Sequence, residues 1–229
     1  MRRYEKRHHL LAIGLAALAG FVDALGFLKL GGLFVSFMSG NSTRMAVGIT
    51  SAVQGSRFAG ALIAGFVAGV MIGATVGRMA GQWRKQAVLG LLTLELALAA
   101  ETATLVGDTI GAPLLMACAM GSANAVFQHD GEVSVGVTYM TGTLVKFGQH
   151  MATSLAGGPR FAWAPYLMLW LGLVAGAAAG ASTFPILGLD ALWIATAFAA
   201  LLLAGTAVLG PLRAERRKLQ ALLADDSKV

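Results

Sequence analysis

The residues predict an all-α polytopic membrane protein of about six transmembrane helices, arranged as two inverted three-helix repeats that each carry a re-entrant or broken helix. Three observations point there. First, the 229 residues are 57% hydrophobic and only 12% charged, with a mean hydropathy of +0.73, whereas soluble domains carry roughly 25% charged residues. Second, apolar runs recur near 10–30, 58–77, 87–107, 112–128, 162–182 and 189–210, each close to the roughly 20 residues a spanning helix needs. Runs of that length without alternation exclude strands. Third, two stretches repeat each other: Gly20, Asp23, Ala24, Met38, Ser39, Gly40, Asn41 and Arg44 correspond to Gly121, Asn124, Ala125, Met140, Thr141, Gly142, Thr143 and Lys146. The offset is 101 at Asp23 and Asn124, and 102 from Met38 onward. The whole chain, 1–229, reads as one membrane domain, with the repeats at 10–107 and 112–210 and a basic cytoplasmic tail at 211–229.

The first run follows Arg2, Arg3, Lys6 and Arg7, as a cleavable signal would. It is longer than a signal core, is copied at residue 121 and precedes five more runs, so it is expected to stay as the first helix. Between the first and second runs lies 33–54, whose Ser39-Gly40-Asn41-Ser42-Thr43 interrupts apolar sequence and is followed by Arg44. The segment 133–157 matches it in the second half. If neither segment spans, the chain crosses six times and the clusters Arg2 to Arg7, Arg78 with Arg84 and Lys85, and Arg213 to Lys218 all fall on the cytoplasmic side. If both span it crosses eight times and the middle cluster moves outside. The positive-inside rule favours six, with both termini cytoplasmic. Three crossings per half oblige the halves to enter from opposite sides, which makes the repeat inverted.

Irregular backbone at membrane depth is tolerated only where protein or a water-filled cavity covers it. Gly40 and Gly142 are expected at the breaks, where glycine allows positive φ or a close backbone approach. Ser39 and Thr141 are expected as N-caps of the short helices that follow. Two half-helix N-termini facing the midplane make a partly positive, hydrogen-bonding site. The expected lining is Asp23 as coupling or counter-ion group, Arg44 and Lys146 as charge-matching groups, and Asn41, Asn124 and Thr143 as hydrogen-bonding residues. For Asp23, whose charge in a membrane costs at least ~2.5 kcal/mol, the alternative is an ion pair with Arg44 or Lys146. The two cations could equally snorkel to the interface.

Glu95 stands near the middle of the third run and is a proton-relay candidate, the alternative being a basic partner elsewhere in the bundle. His150 follows Lys146 by one helical turn and is a second candidate, or else a packing residue. Glu101 and Asp108 are expected near the outer interface, His8 and His9 in the headgroup zone, and His129 with Asp130 in a cytoplasmic turn. The ladders Gly65, Gly69, Gly73, Gly77 and Gly172, Gly176, Gly180 each fall on one helix face. Small residues there allow close helix packing, within the subunit or in a homodimer. Trp83, Trp163 and Trp193 read as interface anchors. The 212–223 segment reads as a short amphipathic helix on lipid or a solvated tail.

These motifs resemble the YoaK family of bacterial membrane proteins, a family without an established function. The matching residues are Gly20, Asp23, Ala24, Gly31, Gly32, Phe34 and Ser39-Gly40-Asn41, where the family usually shows Thr-Gly-Asn, together with Gly121, Asn124 and Thr141-Gly142-Thr143. The resemblance covers residues 10 to 210 and implies a bacterial inner-membrane protein of about six helices.

Function follows from the broken segments: a small secondary transporter or permease for an anionic or zwitterionic solute, with lipid and solute as partners. A channel of the same architecture and a structural or regulatory membrane subunit are the alternatives. The clustering of cations at span ends argues against nucleic acid. No nucleophile–base set, HExxH or metal cluster is apparent, and a single cysteine, Cys118, allows no intrachain disulfide, so neither enzyme chemistry nor a cofactor or metal is expected.

Overall fold

The computed structural model describes residues 6–51, 55–106, 110–129, 132–133, 136 and 138–209. It contains α1 (Lys6–Lys29), α2 (Met38–Ser51), α3 (Gly55–Met79), α4 (Arg84–Val106), α5 (Gly111–Ala123), α6 (Met140–Leu155), α7 (Ala164–Leu187) and α8 (Leu192–Leu209). Short 3-10 turns precede α4 and α8 and extend α5 through Asn124–Phe127. A two-residue antiparallel pair, β1 (Gln128–His129) with β2 (Glu132–Val133), is the remaining regular structure among the described residues. The side chains of His8 and His129, together with Asp108, Asp130 and the 211–229 tail, lie outside the described residues.

Four helical segments are long and apolar enough to cross a membrane: 9–29, 57–79, 81–106 and 164–206. The last is two legs. Gly188 (φ 57°) ends α7 and turns the chain into α8. α5 is shorter, but 13 α-helical residues plus four in a 3-10 turn extend it to about 27 Å, near the ~30 Å hydrocarbon core. Outward-facing Met71, Leu94, Leu98, Leu171, Phe198 and Leu201 are exposed, a cost in water that lipid removes.

Lipid is as apolar as a leucine side chain, so helix pairs must gain from close packing. The glycine ladders supply it, twice, in one pattern. On α3, Gly65, Gly69 and Gly73 meet Leu114, Cys118 and Ser122 of α5 in order, and a Cβ on Gly69 would lie 1.9 Å from the Cys118 carbonyl oxygen. On α7, Gly172, Gly176 and Gly180 meet Ile13, Ala17 and Phe21 of α1, and a Cβ on Gly176 would lie 1.9 Å from the Ala17 carbonyl oxygen. Facing them, Gly121 and Gly20 each leave 2.1 Å to the Phe66 and Leu173 carbonyl oxygens. The two ladder faces are thus filled from within the chain, and a homodimer would have to use other surface.

The ordered contacts fix helix directions. α1 runs parallel to α7, and α3 parallel to α5. α8 returns from the end of α7 to set Leu202 against Gly14, and lies antiparallel to α4, with Gln86 Nε2 donating to the Thr206 carbonyl and Thr104 Oγ1 to Asp190 Oδ1. α1, α4 and α7 therefore point one way, and α3, α5 and α8 the other. The core lies where α1, α4, α5 and α8 meet, around Leu15, Val22, Leu89, Leu92, Met116, Met120 and Leu192.

Candidate functional site

α1 stops because Gly31 takes φ 62°, which lets the Gly32 N–H donate back to the Phe27 carbonyl at 2.8 Å. This is the Schellman closure that glycine favours. The chain then folds back along α1: Val35 becomes fully buried and presses on Gly26, where a Cβ would lie 2.7 Å away. Backbone groups exposed by such a loop need partners. Asp23 Oδ1 accepts the Val35 and Ser36 N–H groups, both at 2.8 Å. Asn41 is fully buried, accepts the Phe34 N–H at 2.9 Å and donates to the Phe34 carbonyl at 2.5 Å. Asp23 and Asn41 thus act as surrogate backbone for residues 34–36. The carboxyl group is held by N–H donors, in place of the alternative ion pair with Arg44 or Lys146.

The second half is built alike with different chemistry. Asn124 is buried; its amide donates to the Met120 carbonyl at 3.0 Å and its oxygen accepts the Thr138 hydroxyl at 3.1 Å. Thr143 Oγ1 donates to the Tyr139 carbonyl at 3.2 Å.

The expected position of the breaks needs correction. α2 begins at Met38 and α6 at Met140, so Ser39, Gly40, Thr141 and Gly142 lie inside the first helical turns and are neither caps nor break residues. Neither Gly40 nor Gly142 has positive φ; the left-handed conformations are at Gly31 and Gly32. Gly40 is needed for another reason, because a Cβ there would lie 2.6 Å from the Phe37 ring. That ring stacks edge-on to Phe34, with centroids 5.2 Å apart. Gly142 has open space around it.

The starts of α2 and α6 face each other across a cleft of about 260 Å³. Ser36, Phe37, Met38 and Ser39 line it from the α2 segment, Thr138, Tyr139, Met140, Thr141 and Gly142 from the α6 segment, and Phe66 from α3. First-turn N–H groups of a helix have no intrahelical acceptor, so the cleft offers hydroxyls and amide donors beside three aromatic rings, Phe37, Phe66 and Tyr139. Gly142, expected at the break, borders the cleft, whereas the residues expected to line the site do not. Asp23, Asn41, Asn124 and Thr143 stand behind the wall and hold it.

Arg44 is exposed, its guanidinium against Gly32, and Lys146 is exposed on α6; neither reaches the cleft. Glu95 lies elsewhere, between α4 and α5. His150 stacks on Tyr166 with ring centroids 5.0 Å apart. Ser36 and Thr138 were not anticipated, although the 102-residue offset already paired them.

Among the described residues no cluster of His, Cys, Asp or Glu could hold a metal.

The family model described as a protein of unknown function (DUF1275) matches residues 11–205. A UPF0700 transmembrane protein of Rhizobium meliloti is 36% identical over 223 residues, covering 92% of this chain and 91% of the relative. No solved structure matches. With transmembrane-length helices, the paired motifs and a match across nearly the full length, the chain belongs to the DUF1275 family of uncharacterised bacterial membrane proteins, which includes YoaK.

Proposed function

We propose that the protein is a small secondary transporter for an anionic or zwitterionic solute, which binds in the cleft between the starts of α2 and α6. The observation that carries this reading is the make-up of the wall: Ser36, Phe37, Met38 and Ser39 recur as Thr138, Tyr139, Met140 and Thr141 at one offset. Matching interrupted segments that meet at one site are how inverted-repeat transporters build a solute site.

The halves are an inverted repeat of three crossings each. The opposed directions of α1 and α5, of α3 and α7, and of α4 and α8 support this. So do the lengths of α2 and α6: 14 and 16 residues reach about 21–24 Å and fall short of a ~30 Å core. With the N-terminus cytoplasmic in the inner membrane, Arg78, Arg84, Lys85 and Arg160 lie on the cytoplasmic side, as the positive-inside rule asks. α2 then re-enters from outside and α6 from the cytoplasm.

The sign of the solute follows from the donors. Two helix N-termini carry partial positive charge, and Arg44 and Lys146, each six residues into its half-helix, add to the positive potential without touching the wall. The cleft volume lies just below the usual range of about 300–1,000 Å³ for ligand pockets, which restricts the solute to a small molecule.

The test is a thermal-shift screen of purified protein against small anions and zwitterions, followed by uptake of each hit into proteoliposomes. Saturable uptake driven by an imposed ion gradient, reduced by Ser39→Ala with Thr141→Val, is the expected result. Non-saturating flux indifferent to the gradient would make the protein a channel. The absence of any stabilising solute and of any flux would leave a structural or regulatory subunit.

A further inference from the structure

Glu95 sits midway along α4 with 6% exposure, outside the lining of the cleft and unused by the transport reading. Its Oε1 lies 3.0 Å from Ser122 Oγ and 3.4 Å from Cys118 Sγ, both on α5. Its Oε2 is buried without a partner. Ser122 Oγ lies a further 3.0 Å from the Gly69 carbonyl oxygen of α3. Ser122 therefore has one hydrogen and two oxygen neighbours at equal distance. The Gly69 carbonyl cannot donate. Each contact is a full two-centre hydrogen bond, with no sharing of the one hydrogen, when Ser122 donates to Gly69 and accepts a hydrogen bond from a protonated Glu95.

The surroundings agree. The elements packed around α4 are α3, α5, α8 and the short turns at 81–83, 124–127 and 188–191; among their described residues the ionisable side chains are Cys118 on α5, Arg57 and Arg78 near the two ends of α3, and Asp190. Asp190 and Arg84 stand at opposite ends of α4, at Thr104 and at the Gly77 and Gln128 carbonyls; Glu101 is exposed. A carboxylate at Glu95 would have no cation beside it and one oxygen without any donor, an arrangement that buried charges avoid.

The cluster is also dispensable for packing. In the duplicate interface, Gly176 and Gly180 meet Ala17 and Phe21 where Gly69 and Gly73 meet Cys118 and Ser122. The same close approach is made there with no polar side chain.

We propose that Glu95, with Ser122, Cys118 and the Gly69 carbonyl, forms a proton-binding site at mid-membrane, occupied at neutral pH. The bound proton bridges Glu95 Oε1 and Ser122 Oγ. Its release requires water to enter between α4 and α5, so occupancy is tied to the closure of that interface. The proposal stands whether or not the cleft carries a solute.

Infrared spectroscopy of protein reconstituted in bilayers tests it. The expected result is a carbonyl stretch of a neutral carboxylic acid at neutral pH, lost in Glu95→Gln and shifted upward in Ser122→Ala, which removes its hydrogen bond. Ser122→Ala retains the carboxyl, so it keeps the test decisive should Glu95→Gln fail to fold. An acid band unchanged in Ser122→Ala, or a carboxylate band alone as the Glu95 signal, overturns the proposal. Conversion of acid to carboxylate when sodium replaces choline at constant pH also overturns it, in favour of a sodium site.

Discussion

Gly176→Ala adds one methyl group at the tightest point between α7 and α1. The new Cβ would lie 1.9 Å from the Ala17 carbonyl oxygen, 2.6 Å from its carbon and 2.8 Å from its Cα. These are backbone atoms, so no rotamer change relieves them and the helices must part by roughly 1 Å. The parting spreads along the ladder, because Gly172 already sits 3.0 Å from Ile13 and Gly180 2.5 Å from Phe21 by the same measure. A gap of 0.5–1 Å forfeits about a quarter to a half of each dispersion contact, and overpacking costs about 1–3 kcal/mol. That corresponds to a loss of roughly 3–10 °C in Tm for a chain of this size. Gly69→Ala should cost about as much, its clash with the Cys118 carbonyl being the same 1.9 Å. The contrast is Gly148→Ala on α6, where nothing lies within 4 Å; there helix propensity alone acts and should add about 0.5–1 kcal/mol. The assay is thermal unfolding in detergent followed by tryptophan fluorescence. If Gly176→Ala and Gly69→Ala melt with wild type, or if Gly148→Ala is the more harmful change, the ladders are not the packing seams described here.

Two further outcomes separate holding the wall from doing chemistry at it. Asp23→Ala removes the acceptor for two N–H groups and should cost about 3 kcal/mol or more at roughly 1.5–3 kcal/mol per charge-assisted bond, whereas Asp23→Asn keeps an acceptor oxygen and should lose less than half of that. Thermal unfolding of both variants checks the order, and an Asp23→Ala protein as stable as wild type refutes the backbone role. In a Cys118→Ala background, Ser39→Cys with Thr141→Cys should be joined by a short bifunctional thiol reagent, as both line one cleft. A band shift after cleavage at a site placed in the α3–α4 connection at 80–83, between the two positions, reads the link, and failure to link while each single variant is labelled refutes the facing starts of α2 and α6.

The sequence carried some of this in plain sight. The four-residue glycine spacing marked two seams, and their partners on α1 and α5 bear the other glycines of the motif, Gly20 and Gly121. The short helices α2 and α6 were legible because polar residues interrupt apolar runs at matched offsets. Their starting points were misjudged by two residues, since serine, threonine and glycine resemble a cap while the turn that does the work is Gly31-Gly32, seven residues upstream. The partners of Asp23 were hidden for a related reason: no pattern of side chains announces that residues 33–36 fold back along α1 and present N–H groups to it. Glu95 was visible, but Ser122 and Cys118 are 27 and 23 residues away. α4 carries apolar residues around its whole circumference, so no stripe reveals which helix the carboxyl faces.

The exchange of partners between halves also sets a timetable for biogenesis. α1 finds its glycine seam on α7, and that seam is not complete until the ribosome has passed Gly180. Synthesis proceeds from the N-terminus, so Ile13, Ala17 and Phe21 face lipid or a chaperone while the next 150 or so residues are inserted. α3 waits only for α5. The first half consequently cannot finish folding alone, and the last hairpin to enter the membrane is the one that closes the molecule.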